Sequence, residues 1–313
     1  MITLISPFLR LSTGLLLTGV VLGCQAGKKP VQASQVDVRT ELRIVTGDSG
    51  QPLTWSTLID EMTAADVIVL GEEHDDATGH AVQLAVVEDL LDRRQGGVVA
   101  LEMLERDEQI LIDDHADGII DATSFAKETR STDWAGKGSW MVWYQPIVEA
   151  ALKRDAKVIA ANAPRRYARM ARVQGWDAVR NLPEVRSRLV ELPVAPIEGT
   201  YRERFYEIMR PSDHDGDDET DLSYIDTFYQ AQQVWDATMA DSVAKAVHEH
   251  GAPVILLIGR FHSDHDGGTV QELRRLLPDH VIRTISLETS RSEPLEAGRN
   301  VKQADVIVHT RSD

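Results

Sequence analysis

Three side chains at the ends of apolar, β-branched runs could do chemistry together. His74 follows "DVIVLG" (66–71), Glu102 sits at the end of "GVVALEM" (97–103), and His262 follows "PVILLIG" (253–259). Both histidines close the same short pattern, Gly71-Glu72-Glu73-His74 and Gly259-Arg260-Phe261-His262. A glycine there lets the backbone turn sharply and approach a ligand. Imidazole and carboxylate together suit a divalent metal such as zinc, manganese or iron and leave positions open for water or substrate. The same groups could position a nucleophilic water, with a Glu or His as base. A single histidine at a strand end is commonly a hydrogen-bonded filler, so the repetition of the pattern is what points to a site. His80 and His265 lie within reach of the same crevice, either as ligands or as groups that orient the first pair through hydrogen bonds.

These residues need elements to bring them together. Six runs alternate with helical patterns: residues 66–71, 97–103, 156–163, 253–259, 281–287 and 305–310. Their continuous apolarity predicts strands covered on both faces, hence an α/β fold with a mostly parallel sheet flanked by helices. In such a sheet, ligands sit outside the carboxyl ends of the strands. His74, Glu102, Asn162 and His262 all fall there. His80, Leu84, Val87 and Leu91 share one face of a helix running to about Arg94. A long helix spans roughly residues 224–251, and another about Gly268 to Leu277. Residues 104–150 and 164–225 read as helical insertions over one edge of the sheet. Pro164 is suited to the first helical position, which would aim a helix N-terminus at the crevice as a usable anion site. Arg165, Arg169 and Arg172 then share a face, either solvated or carboxylate-binding. On the long helix, Gln232, Asp236 and Met239 fall on one stripe that we expect to line the crevice, since Phe228, Trp235 and Val243 suffice to bury the helix. Asp264 and Asp266 read as a solvated turn. "DHDGDDETD" (213–221) lacks the glycine and terminal Glu of a calcium loop.

The first residues follow different rules. One Arg precedes a short apolar stretch ending at Gly23-Cys24, the layout of a secretory signal peptide over residues 1–23. Val21-Leu22-Gly23-Cys24 resembles the lipobox of bacterial lipoproteins, in which the cysteine is acylated. Cys24 is the single cysteine of the chain, so no disulfide can form within it. Gln25 is similar to an outer-membrane sorting signal of a Gram-negative cell envelope. Residues 24–38 then read as a flexible tether, and 39–313 as a single α/β domain. A net charge of -17 disfavours nucleic acid and anionic membrane surfaces as partners.

The segments "VLGEEHDDATGH", "ALEMLERDEQ", "WYQPIVEAALKRDAKVIAANAPR", "AQQVWDATMADSVAKAV" and "LIGRFHSDHDGGTVQEL" together resemble, in order and with similar gaps, the ChaN-like haem-binding lipoproteins of the Tiki superfamily. The resemblance covers about residues 50 to 277. It implies a lipid-anchored protein of iron and haem uptake that binds haem, with a homodimer enclosing the ligand. It also implies kinship with metal-dependent hydrolases, Tiki proteases and erythromycin esterases among them, whose paired histidines and glutamate carry over to His74, Glu102 and His262. The resemblance also implies a tyrosine as axial haem ligand without mapping it to one position; Tyr144, in the "WYQP" segment, is the candidate, with a place in the core as the alternative. The sequence departs from the family pattern at Gly79-His80, where relatives show paired histidines. It departs again at His214-Asp215-Gly216, the remnant of a His-Gly element. The expected haem contacts are therefore His74, His80, Tyr144, Asn162, Asp236 and His262, and the expected metal ligands His74, Glu102 and His262. Three functions fit these features: haem binding, metal-dependent hydrolysis, or a lipoprotein whose crevice has no activity.

Overall fold

A run of Val, Ile and Leu with no alternating polar residue must be covered on both faces, and here such runs form the centre of one sheet. The computed structural model describes residues 31–210, 223–251, 253–289 and 302–310. Its strands are β1 (Arg43–Thr46), β2 (Pro52–Leu53), β3 (Val67–Glu72), β4 (Val98–Glu105), β5 (Lys157–Asn162), β6 (Val254–Gly259), β7 (Ile282–Glu288) and β8 (Val306–His309). They pair in the order β2-β1-β8-β7-β3-β6-β4-β5. From β8 to β5 the neighbours run parallel; β1 is antiparallel to both β8 and β2. The six expected runs each supply a strand of this α/β sheet. Strands β1 and β2 were not foreseen, because they are short and only partly buried.

Chain order and strand order differ at one place that matters for function. From β3 the chain passes over a gap to β4, and β6 later fills it, pairing with β3 on one side and β4 on the other. Glu72 of β3 sits level with Gly259 of β6, and Leu101 of β4 with Leu257 of β6. The carboxyl ends of β3, β6 and β4 are therefore adjacent. This is the kind of switch point at which open α/β sheets bind ligands.

The helices are α1 (Trp55–Thr63), α2 (Ala77–Arg93), α3 (Gln109–Ala116), α4 (Ala122–Glu128), α5 (Gln145–Leu152), α6 (Arg165–Gln174), α7 (Trp176–Arg180), α8 (Glu184–Ser187), α9 (Thr200–Met209), α10 (Ser223–His250), α11 (Arg260–Ser263) and α12 (Gly268–Leu276). Alternate strand residues face opposite layers. Ile68, Leu70, Ile255 and Leu257 pack with α1, α2 and α5, while Val67, Val69, Leu256 and Ile258 pack with α10 and α12. Local signals set the boundaries. The Thr54 and Asp76 side chains accept from the backbone N–H groups of Thr57 and Thr78 at the starts of α1 and α2. Pro164 stands just outside α6, at the N-cap, one residue earlier than expected.

The segments 104–150 and 164–225 are helical, and among the described residues neither adds a strand beyond the ends of β4. Residues 31–38, expected to belong to a loose tether, instead lie against the domain. Val38 is buried, Val31 packs on the core, and Trp143 Nε1 donates to the carbonyl of Gln32 at 2.9 Å. The signal peptide, Cys24 and the acidic stretch with His214 lie outside the described residues. Among the described residues no helix is long and apolar enough to cross a membrane.

Candidate functional site

Glu72 is the last residue of β3, and two positions on, His74 projects from the same side of the chain. The two meet: His74 Nδ1 donates to Glu72 Oε1 at 2.8 Å. The carboxylate is buried and fully engaged, accepting also from Tyr144 Oη at 2.7 Å and from Gln83 Nε2 at 2.7 Å. His74 itself is exposed, with 46% of its side chain open to solvent. Burial would push the Glu72 pKa up. The His80 imidazole 3.7 Å away and the hydrogen bonds from His74 and Tyr144 outweigh it and bring the carboxyl down to about 2. Burial would likewise lower His74, yet the Glu72 hydrogen bond and charge raise it to about 9.

A second pair of the same kind ends β6. His262, in the short α11, donates from Nδ1 to Asp236 Oδ1 of α10 at 2.7 Å. Asp236 is wholly buried and is also held by Thr269 Oγ1 at 2.8 Å and Tyr201 Oη at 2.7 Å. Burial lowers the His262 pKa, and the Asp236 charge and hydrogen bond reverse the sign and raise it. Two glycines make room. A methyl at Gly268 would stand 2.4 Å from Asp236 Oδ2, and one at Gly259 would stand 3.1 Å from His74 Cε1 and 3.2 Å from its Nε2.

Glu102 lies between the pairs. Its carboxylate accepts from the Gly259 N–H, and its Oε1 is 3.7 Å from His262 Nε2. Asn162 braces it from β5, donating to the Glu102 carbonyl at 3.0 Å and accepting from the Ala163 N–H at 2.8 Å.

The three residues singled out from the sequence thus converge. Among the described residues, however, no group of three or more His, Cys, Asp or Glu is arranged as a metal cluster, so the expected ligand set of His74, Glu102 and His262 is not seen as a metal site.

Of the expected haem contacts, only His74 reaches the surface. His80 is buried beneath it, with Nε2 3.1 Å from the His74 carbonyl, and stacks on Trp143. That is the orienting position rather than the ligand position. Tyr144 is fully buried and its phenol is committed to Glu72. Burial and the Glu72 charge push its pKa well up, so it offers neither an accessible oxygen nor a ready phenolate. Asn162, Asp236 and His262 are buried supports. Asp264 is not in a solvated turn; it is buried, accepting from Arg260 Nε and Ser286 Oγ.

Beyond His74 the surface opens into a cavity of about 420 Å³ at the end of β4, lined by Met103, Glu105, Arg130, Trp134, Arg165 and Arg166 among others. Trp134 meets the His74 ring edge-on at 6.2 Å, and the Arg165 guanidinium lies 4.7 Å over the Trp134 ring. A larger hollow of about 540 Å³, beside Trp176 and Tyr229, touches none of these groups.

Sequence reasoning missed Glu72, Tyr201 and Trp134. For Glu72 the signal was available: an acid ending an apolar strand with a histidine two residues on must present both side chains to one side. Tyr201 and Trp134 carry no such spacing.

The family model described as haem-binding uptake, Tiki superfamily, ChaN matches residues 58–273. This chain belongs to that family. No curated protein matches its sequence. Among solved structures, one reported as cofacial haem binding to ChaN of Campylobacter jejuni is 20% identical, with a TM-score of 0.64, covering 90% of this chain and 99% of that one. An erythromycin esterase mutant, EreC, in its open conformation is 12% identical with a TM-score of 0.44, covering 85% and 83%. The type III effector HopBA1 is 9% identical with a TM-score of 0.46, covering 88% and 98%.

Proposed function

We propose that this protein binds haem at the open end of the sheet, with His74 as the residue that faces the iron. The observation that carries this reading is the state of that imidazole. Its Nδ1 is held by buried Glu72, it is exposed, and Gly259 leaves open the space beside Nε2 that a methyl would fill. A histidine that ligates a metal characteristically gives its other nitrogen to a carboxylate, which fixes the ring and strengthens it as a donor. Haem would supply a redox-active iron that such a nitrogen can bind. The chain's own residues do the rest: Glu72 orients the ring, Tyr144 and Gln83 hold Glu72, and Trp134 offers an aromatic edge. Titrating haem into the purified protein should shift the Soret band with saturation at micromolar protein, and His74→Ala should remove the shift. No shift in the parent protein would end this reading.

The wider role is part of the same proposal: a Cys24-acylated lipoprotein of the outer membrane serving iron or haem uptake. The lipobox-like residues 21–24 and the family's uptake description support it. Cys24→Ser should move the protein from the membrane fraction to the soluble one. The cofacial haem arrangement reported for the Campylobacter jejuni protein suggests a haem-linked homodimer here, readable as a doubled mass on adding haem.

A second reading has its own observation. His262 on Asp236, His74 on Glu72 and Glu102 between them form an acid–base set able to activate water at a carbonyl carbon. A protonated His262 would donate to a leaving group, and Glu102 would receive the proton of the water. Hydrolysis of chromogenic esters lost in both Glu102→Gln and His262→Ala would establish it; no turnover by the parent protein would remove it.

A further inference from the structure

The place where the chain enters the domain decides which side of it an N-terminal anchor can hold. Residues 31–39 form a strap that is docked from its first residue. Val31 packs on the core against Gly136, the Gln32 carbonyl accepts from Trp143 Nε1 at 2.9 Å, and the Ser34 hydroxyl meets that of Thr78 at 3.1 Å. Farther along, Val38 is buried and Arg39 pairs with Glu88 at 3.1 Å and Asp89 at 2.8 Å. Helix α2 leads from the carboxyl end of β3 back to the amino end of β4, with Thr78 in its first turn and Asp89 near its end. The strap therefore runs down α2 from the carboxyl end of the sheet. Its start lies beside the candidate site: Gly136 is two residues from Trp134, whose ring meets His74 at 6.2 Å, and Trp143 stacks on His80.

We propose that this end of the domain, with His74, is the face held toward a lipid bilayer. The inference rests on the reading of Cys24 as an acylated anchor. Seven residues, 24–30, lead from that anchor to Val31, and fully extended they span at most about 25 Å. A domain of about 280 residues is roughly 45–50 Å across. The docked strap thus leaves a tether too short to bring the amino end of the sheet round to the lipid. With residues 24–38 all free the reach would be about 50 Å, and either end could face the bilayer. Lys28 and Lys29 give the tether a local positive charge toward lipid phosphates that the chain as a whole, at -17, lacks.

The test uses the full-length acylated protein in phosphatidylcholine vesicles. Because Cys24 carries the lipid, one introduced thiol takes a donor dye, and energy transfer to an acceptor lipid at the vesicle surface reads its height. Lys137→Cys lies in the loop beside the start of the strap, and Gln95→Cys in the loop before β4 at the amino end of the sheet; both side chains are exposed. Transfer should be at least about twofold stronger from Lys137→Cys than from Gln95→Cys, a domain's width apart. Inserting about 20 Gly and Ser residues after Gly27 adds roughly 25 Å of flexible reach and should abolish that difference. Equal transfer from the two positions, stronger transfer from Gln95→Cys, or a difference that survives the insertion would overturn the proposal. If the parent protein fractionates as soluble, as Cys24→Ser should, the anchor reading falls and the orientation with it. A membrane-bound protein with no difference between the two dyes removes the orientation alone.

Discussion

At the scale of residues, the site is two imidazoles held on buried carboxylates, and this fixes how it responds to pH. The Glu72 carboxyl lies at about 2 against an ordinary 4.5, so its contribution to stability is present above 4.5 and lost as pH falls through 2. The His74 ring lies at about 9 against an ordinary 6.5, so its contribution is complete below 6.5 and lost as pH rises through 9. The two share the Glu72–His74 hydrogen bond, to which the His80 charge adds at Glu72, and both contributions are present between those ordinary values. Thermal melts across the pH range should show a dome for the parent protein, with both flanks flattened in Glu72→Gln; identical profiles would contradict the pairing. Ligation has the opposite sign on the alkaline side, because iron takes the neutral ring. Haem affinity should therefore rise as pH climbs toward 9, even as this part of the stability declines.

At the scale of elements, convergence is a matter of strand order. His74 follows β3, Glu102 lies in β4 and His262 follows β6, and they meet because β6 is inserted between the other two strands. The strands themselves were legible in the sequence: six apolar runs became β3 to β8, since a strand buried on both faces leaves an unbroken apolar signature. That the three ends come together was legible too, from the repeated Gly-x-x-His. What each imidazole leans on was legible only in part. Asp236 stood out through its stripe on α10, but that it faces His262 depends on how α10 crosses the sheet. For Tyr144 the sequence left a ligand and a core position both open, and its burial behind Glu72 is a property of packing between the π-helical turn at 140–144 and β3. The element-scale prediction concerns the glycines. Gly259→Ala places a methyl 3.2 Å from His74 Nε2 and should impair haem binding while leaving the melting temperature within a few degrees. Unchanged affinity would mean that the space beside Nε2 is not used.

At the scale of the molecule, the sheet lies between two helical layers, with the candidate site at one end of it. Leu257, wholly buried in the central strand β6, shows what the sheet contributes: Leu257→Ala should cost about 2–5 kcal/mol in chemical denaturation. A loss well under 1 kcal/mol would contradict the packing described. The geometry at the ends of β3, β4 and β6 is what supports the proposal that His74 presents one nitrogen to a ligand. A crystal structure of the haem-loaded protein tests it most directly. The account predicts iron within coordinating distance of His74 Nε2, with Nδ1 still on Glu72. Iron bound elsewhere, or on an oxygen ligand with His74 unengaged, would contradict it.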